Sequence, residues 1–203
     1  MKLYFVRHGE TDGNLQERGG NFFDGRLNDN GRRQVRWLGL RIAAEPVDLI
    51  IASPYKRTME TAVIIAGIAG KEVRETALLE EKKWPGEIEG KLLADPEAVK
   101  LFDLMREKNN SDPNWHYRDE ENFLDVKKRA QLFIEYANGL DQERVLAVSH
   151  EYFIKLVIAA MIFGDRLTYD IFRRFFHSTS LANASRVLCE KENGVWKLIS
   201  LNY

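Results

Sequence analysis

The sequence predicts an α/β fold: a layered, mostly parallel sheet with helices on both faces and a small inserted lobe. Short apolar runs that read as buried strands alternate with longer amphipathic runs that read as helices. The chain has 203 residues, 44% of them apolar, which suits one domain with a sizeable core. Residues 78–118 break the alternation. They hold three of the five prolines and many charges, and read as an insertion covering one end of the sheet.

The elements follow in order. Leu3-Tyr-Phe-Val6 is a short buried strand. The glycine- and asparagine-rich stretch from Gly9 to Asn30 reads as a long functional loop. Asn28 or Asn30 caps a helix from Gly31 to Ala44, with Val35, Leu38 and Ile42 on one face. Val47 to Ala52 is a second strand. Pro54 suits the first turn of a helix through Ala69, on which Met59, Val63 and Ala66 share a face. The insertion carries a helix over Pro96 to Lys108, and Asn122 to Tyr136 is an amphipathic helix. Arg144 to Val148 is a third buried strand, and Tyr152 to Phe163 the helix after it. Asn193-Gly194 marks a hairpin between two closing strands. With no repeat, low-complexity segment or linker, residues 1–203 read as a single domain.

Composition narrows the function. The formal net charge is -1, from 30 basic and 31 acidic side chains, so neither nucleic acid nor an anionic membrane is expected as a partner. Any anion site must come from a local cluster of positive groups. The single cysteine, Cys189, excludes an internal disulfide and a Cys-pair metal site, and its strand-like surroundings point to a structural role. A reducing compartment, the cytoplasm, is expected. Lys2 to Val6 is too short for a signal-peptide core. The longest apolar run, Phe153 to Phe163, is interrupted by Lys155 and reads as a buried helix, not a membrane span.

Chemistry-bearing residues recur where predicted strands end, the edge at which open α/β sheets bind ligands. Arg7-His8-Gly9-Glu10-Thr11 follows the first strand, Ser53-Pro-Tyr-Lys-Arg57-Thr58 the second, and Ser149-His150-Glu151 the third. Two arginines and two histidines are thus brought together from separate segments. The set suits a phosphoryl group. A guanidinium fork matches phosphate oxygens and stays charged. A neutral histidine can attack phosphorus and carry the phosphoryl group. A second histidine, if protonated, adds another donor. Phosphoryl transfer needs mostly positioning and charge stabilisation.

These segments resemble the histidine phosphatase superfamily, also called the phosphoglycerate mutase-like family. Arg7 to Thr11 resembles its RHGET signature, and Thr11-Asp-Gly-Asn14 the continuation of it. Leu27 to Gln34 is similar to its L-T-x-x-G-x-x-Q helix start. Ser53 to Thr61 is similar to its S-P-x-x-R-T-x-x-T segment, Phe123 to Arg129 to its late helix, and Ser149-His150 to its second histidine. The resemblance implies a phosphoglycerate mutase-like fold and a metal-independent phosphatase with no cofactor, acting on a small-molecule phosphate ester. It implies His8 as nucleophile, with Arg7, Arg57 and His150 holding the phosphoryl oxygens and Asn14 assisting. It also implies a glutamate acid ahead of an E-G pair. Leu79-Glu80-Glu81 precedes Glu89-Gly90, which makes Glu81 the choice and Glu80 the fallback. The leaving alkoxide needs such an acid, and the same group can then activate water. The alternatives are a phosphoglycerate mutase, which returns the phosphoryl group to substrate, and a phosphate-binding or interaction module with little turnover.

The chain departs from the family at Glu151, which stands where glycine is usual. A carboxylate there would repel substrate unless it points away, caps the following helix or binds a cationic part of the substrate. His116 and His177 read as surface, packing or rim residues. Phe22, Phe23, Trp84 and Tyr152 are further candidates for substrate contact. His150-Glu151 begins an HExxH motif, but Ile154 stands at its second histidine. No metal-ligand spacing is present, and the oligomeric state is left open.

Overall fold

The computed structural model describes residues 1–19, 25–45 and 47–201. Among them one sheet holds six strands: β1 (Lys2–Arg7), β2 (Leu49–Ala52), β3 (Val73–Glu75), β4 (Arg144–Ser149), β5 (Arg186–Glu192) and β6 (Val195–Ser200). Their order is β3-β2-β4-β1-β5-β6. β3, β2, β4 and β1 run parallel, and β5 and β6 complete the sheet antiparallel. The helices are α1 (Asp12–Leu15), α2 (Asp29–Ala44), α3 (Lys56–Ala69), α4 (Pro96–Ser111), α5 (Phe123–Asn138), α6 (Glu151–Phe163) and α7 (Tyr169–Ser178).

The two-residue period of the strands sorts the core into two layers. Leu3, Phe5, Ile51, Val145 and Ala147 face α5 and α6, where Phe133, Phe153 and Val157 are fully buried. Tyr4, Val6, Ile50, Leu146 and Val148 face α2 and α3. Val35, Leu38 and Ile42 bury the expected face of α2, which starts at its Asn28 cap. Asn122 caps α5 reciprocally with Asp125. The β5–β6 hairpin turns at Asn193 and Gly194, both at positive φ (49° and 80°), as a two-residue turn requires.

Three expectations need correction. α3 begins at Lys56, after Pro54, because Thr58 donates its hydroxyl to the carbonyls of Ser53 and Tyr55 and closes the entry turn ahead of the helix. Its buried face is Thr58, Thr61, Ala62, Ile65 and Ala66, and Val63 is 56% exposed. Thr58 and Thr61 face inward because backbone partners satisfy them, which rotates the face away from Val63. β3 and α7 were not anticipated. β3 has three residues and no apolar run, as befits an edge strand.

The register of the sheet sets up the site. Arg7 pairs with Ser149 across β1 and β4, so His8 and His150 are the next residues on two adjacent strands. The His8 N–H donates to the Ser149 carbonyl at 3.1 Å, and the Ser53 N–H to the Val148 carbonyl at 3.0 Å. All three motif segments leave the sheet at one edge.

Candidate active site

The loop after β1 must pass very close to the first turn of α2. A Cβ on Gly31 would lie 2.2 Å from the Glu10 carbonyl oxygen, and one on Gly9 would lie 2.8 Å from that of Gly31. Only glycine fits either place. The Gly9 N–H donates to the Thr61 hydroxyl at 3.1 Å, which fixes the loop to α3. Thr11 and Asn14 form a capping box on α1, the local reason for the T-x-x-N pattern.

His8 is 4% exposed and His150 fully buried, with ring centroids 5.4 Å apart. Arg57, in the first turn of α3, bridges them. Its Nε donates to His8 Nε2 at 3.2 Å and its terminal nitrogen reaches His150 Nδ1 at 3.0 Å. His8 Nδ1 lies 2.8 Å from the Gly9 carbonyl, an acceptor only, so Nδ1 carries the proton and Nε2 keeps its lone pair. By the same reasoning His150 Nδ1 accepts from Arg57, and Nε2–H faces the Ser53 hydroxyl at 2.9 Å. Burial, reinforced by Arg57, holds both histidines well below the ordinary histidine range. His150 is therefore neutral in the free protein, and the protonated second histidine considered from sequence is not its resting state. Burial pushes Arg57 down only to about 10, so it stays cationic.

Arg7 donates through one terminal nitrogen to the Leu181 carbonyl at 2.5 Å and pairs with Glu151 at 2.8 Å. Its Nε is buried with no hydrogen-bond partner among the described residues. The Asn14 side-chain oxygen accepts from the Thr11 N–H and hydroxyl and from Asn183 Nδ2. Asn14 lines the cavity, and with its oxygen so occupied its amide nitrogen is the donor it has to offer a ligand. Asn183 also donates to the His8 carbonyl at 3.1 Å.

Glu81 lies at the N-terminus of α6. Its carboxylate accepts from the N–H groups of Lys82 (2.9 Å), Phe153 (3.1 Å) and Tyr152 (3.3 Å). Burial outweighs these bonds and the nearby Arg57, so its pKa is raised. Glu81 lines the same cavity as His8 and Arg57. Glu80 does not, and Arg129, Glu121 and Glu75 are the charged groups around its carboxylate. Arg129 anchors the segment by donating to the Glu80 and Glu81 carbonyls while its fork holds Glu121.

The cavity, of about 850 Å³, brings together Arg7, His8, Asn14, Arg57, Glu81 and Glu151. His150 lies directly behind His8 and Arg57. Trp84, Tyr152 and, at the rim, the exposed His177 also line it. His116 instead reaches Asp125 at the surface, at 2.6 Å. Phe22 and Phe23 lie outside the described residues. Sequence reasoning passed over Asn183 and the whole of α7, which supplies a wall, and gave Arg129 no role beyond its place in the late-helix segment. Only the Thr168 cap and the Phe172-Phe176 spacing could have signalled α7.

Comparison with known proteins gives this geometry a family. Residues 3–203 match the model of the histidine phosphatase superfamily, branch 1. The chain is 30% identical over 197 residues to a Bacillus subtilis protein named uncharacterized phosphatase PhoE, covering 97% of this chain and 92% of that one. It is 27% identical over 169 residues to phosphoserine phosphatase 1 of Hydrogenobacter thermophilus, covering 81% and 78%. Among solved structures, Entamoeba histolytica phosphoserine phosphatase with 3-phosphoglyceric acid superposes with a TM-score of 0.79 at 26% identity, over 100% of this chain and 96% of that one. The chain belongs to the histidine phosphatase superfamily, branch 1, as a phosphoric monoester hydrolase.

Proposed function

We propose that the protein hydrolyses a small phosphate monoester, without a metal ion, through a phosphohistidine on His8. The observation that carries this reading is the Arg57 bridge. One guanidinium spans His8 Nε2 and His150 Nδ1, while the Gly9 carbonyl holds the His8 proton on Nδ1. The lone pair that must attack phosphorus accepts this Arg57 bond in the free protein and is released as Arg57 turns to the phosphoryl oxygens.

In the first half-reaction, His8 Nε2 bonds to phosphorus as the bond to the ester oxygen breaks, and Glu81 protonates the leaving alkoxide. Its raised pKa keeps a proton available for that step. In the second, Glu81 takes a proton from water, the resulting hydroxide attacks phosphorus, and the P–N bond breaks to release phosphate. Arg7, which lines the cavity, holds phosphoryl oxygens together with Arg57, His150 and Asn14. Residues 78–118 act as a cap, contributing Glu81 and Trp84 to the cavity. The lone Cys189 leaves no disulfide to need an oxidising compartment, and we assign the protein to the cytoplasm.

The test is a phosphate-release screen over many phosphate esters, with and without EDTA, with phosphoglycerate mutase activity assayed in parallel. Release that survives chelation is the expected result, since Arg7 and Arg57 supply the charge a metal would bring. Dominant mutase turnover, or a loss on chelation restored by one divalent ion, would overturn the reading.

A further inference from the structure

One wall of the cavity is built of rings. Trp84, Phe102, Tyr152, Tyr169, Phe172 and Phe176 line it, drawn from the insertion, α4, α6 and α7. Five of them form one connected array, and Tyr169 joins it through Phe123. Trp84 meets Phe102 edge-on at 5.6 Å and Tyr152 at 5.8 Å, and Tyr152 meets Phe172 at 5.0 Å and Phe176 at 5.5 Å. Phe172 is buried, but the other five keep part of their surface open. Cations are set among them. The Lys82 ammonium lies 4.2 Å from the Trp84 ring centroid and 3.4 Å from Glu120, while Arg106 and Arg173 line the same wall from α4 and α7.

Three classes of leaving group can be weighed against this wall. A small polar alcohol occupies little of about 850 Å³ and leaves the rings wet. An aliphatic body covers the rings but strips water from Arg106 and Arg173, whose side chains are 54% and 40% exposed, without offering them anything in return. An aromatic body makes offset or edge contacts with the rings and presents its electron-rich face to the cations. We propose that the alcohol part of the substrate is aromatic, held by this wall with its phosphoryl group against His8. The proposal rests on the phosphatase reading above and names its substrate class.

The experiment uses three phosphate esters that all leave as primary alkoxides: 2-phenylethyl, 2-cyclohexylethyl and n-propyl phosphate. It measures kcat/KM for each, together with the Kd of the three matching alkylphosphonates, which are not hydrolysed. The phenyl ester should exceed the propyl ester roughly tenfold, mostly through KM, and exceed the cyclohexyl ester several-fold. Simple hydrophobic burial predicts the opposite order for that last pair, because cyclohexyl is the more apolar. Phe102→Leu, which keeps apolar bulk but removes a ring, should lower the phenyl-to-cyclohexyl ratio. Equal values for phenyl and cyclohexyl, or a cyclohexyl preference, would overturn the aromatic assignment. If no ester turns over, the phosphatase reading falls, and the phosphonate affinities still decide whether the wall selects a ring.

Discussion

Glu151 holds Arg7 by one guanidinium nitrogen at 2.8 Å. Its other oxygen lies 2.6 Å from the Lys155 ammonium, a group only 3% exposed that also donates to the carbonyls of Phe176 and Thr179. The carboxylate that replaces the family's glycine therefore neither faces the phosphate unopposed nor points to solvent. It lies between two cations, and Lys155 offsets its charge so that Arg7 keeps a net pull on an anion. Glu151→Gln should raise KM for phosphate esters about fivefold, by loosening Arg7. A carboxylate that repelled substrate would give an improved kcat/KM instead. Lys155→Met should be worse than Glu151→Gln, because it leaves Glu151 uncompensated. The double variant Glu151→Gly with Lys155→Met should recover part of that loss, a non-additivity read in a double-mutant cycle.

The acid role of Glu81 separates from binding by choice of leaving group. Glu81→Gln should slow alkyl esters by about 100-fold or more and p-nitrophenyl phosphate far less, because the latter's leaving group needs little protonation. Equal losses on both would remove Glu81 from the role and make Glu80→Gln the next variant.

The opposite pKa shifts of the two groups give a pH profile with a defined sign. His8 must be neutral to attack, and its lowered pKa keeps it neutral to below the ordinary histidine range. Glu81 must be protonated to donate, and its raised pKa extends that form to higher pH than usual for glutamate. For an alkyl ester, kcat/KM should fall on the alkaline side as Glu81 ionises. With p-nitrophenyl phosphate the alkaline limb should flatten. Phosphate monoesters themselves titrate near pH ~6, so the contrast between the two esters isolates Glu81. Identical profiles would contradict the assignment.

The three strand-end motifs made the site legible because each is local: a short apolar run followed within five residues by its arginine or histidine. The strand register that sets His8 beside His150 then follows from simple parallel pairing. What was not legible depends on distant partners. Asn183 lies in a loop with no motif around it, and its bonds to His8 and Asn14 span 175 and 169 residues of sequence. Lys155 read as an interruption of an apolar helix. It is buried because carbonyls around the end of α7 accept from it, and α7 itself carries a cavity-facing apolar side that a helix pattern alone did not reveal. Val63 misled because threonines with backbone partners took the inward face of α3.

The most direct test of the account is to trap the intermediate. Protein mixed with a phosphorus-labelled ester, quenched in alkali and mapped by peptide, should carry the phosphoryl group on Nε2 of His8, stable in alkali and lost in acid. His8→Ala should carry none and turn over at a small fraction of the wild-type rate. Label recovered on any other residue, or full activity in His8→Ala, would contradict it.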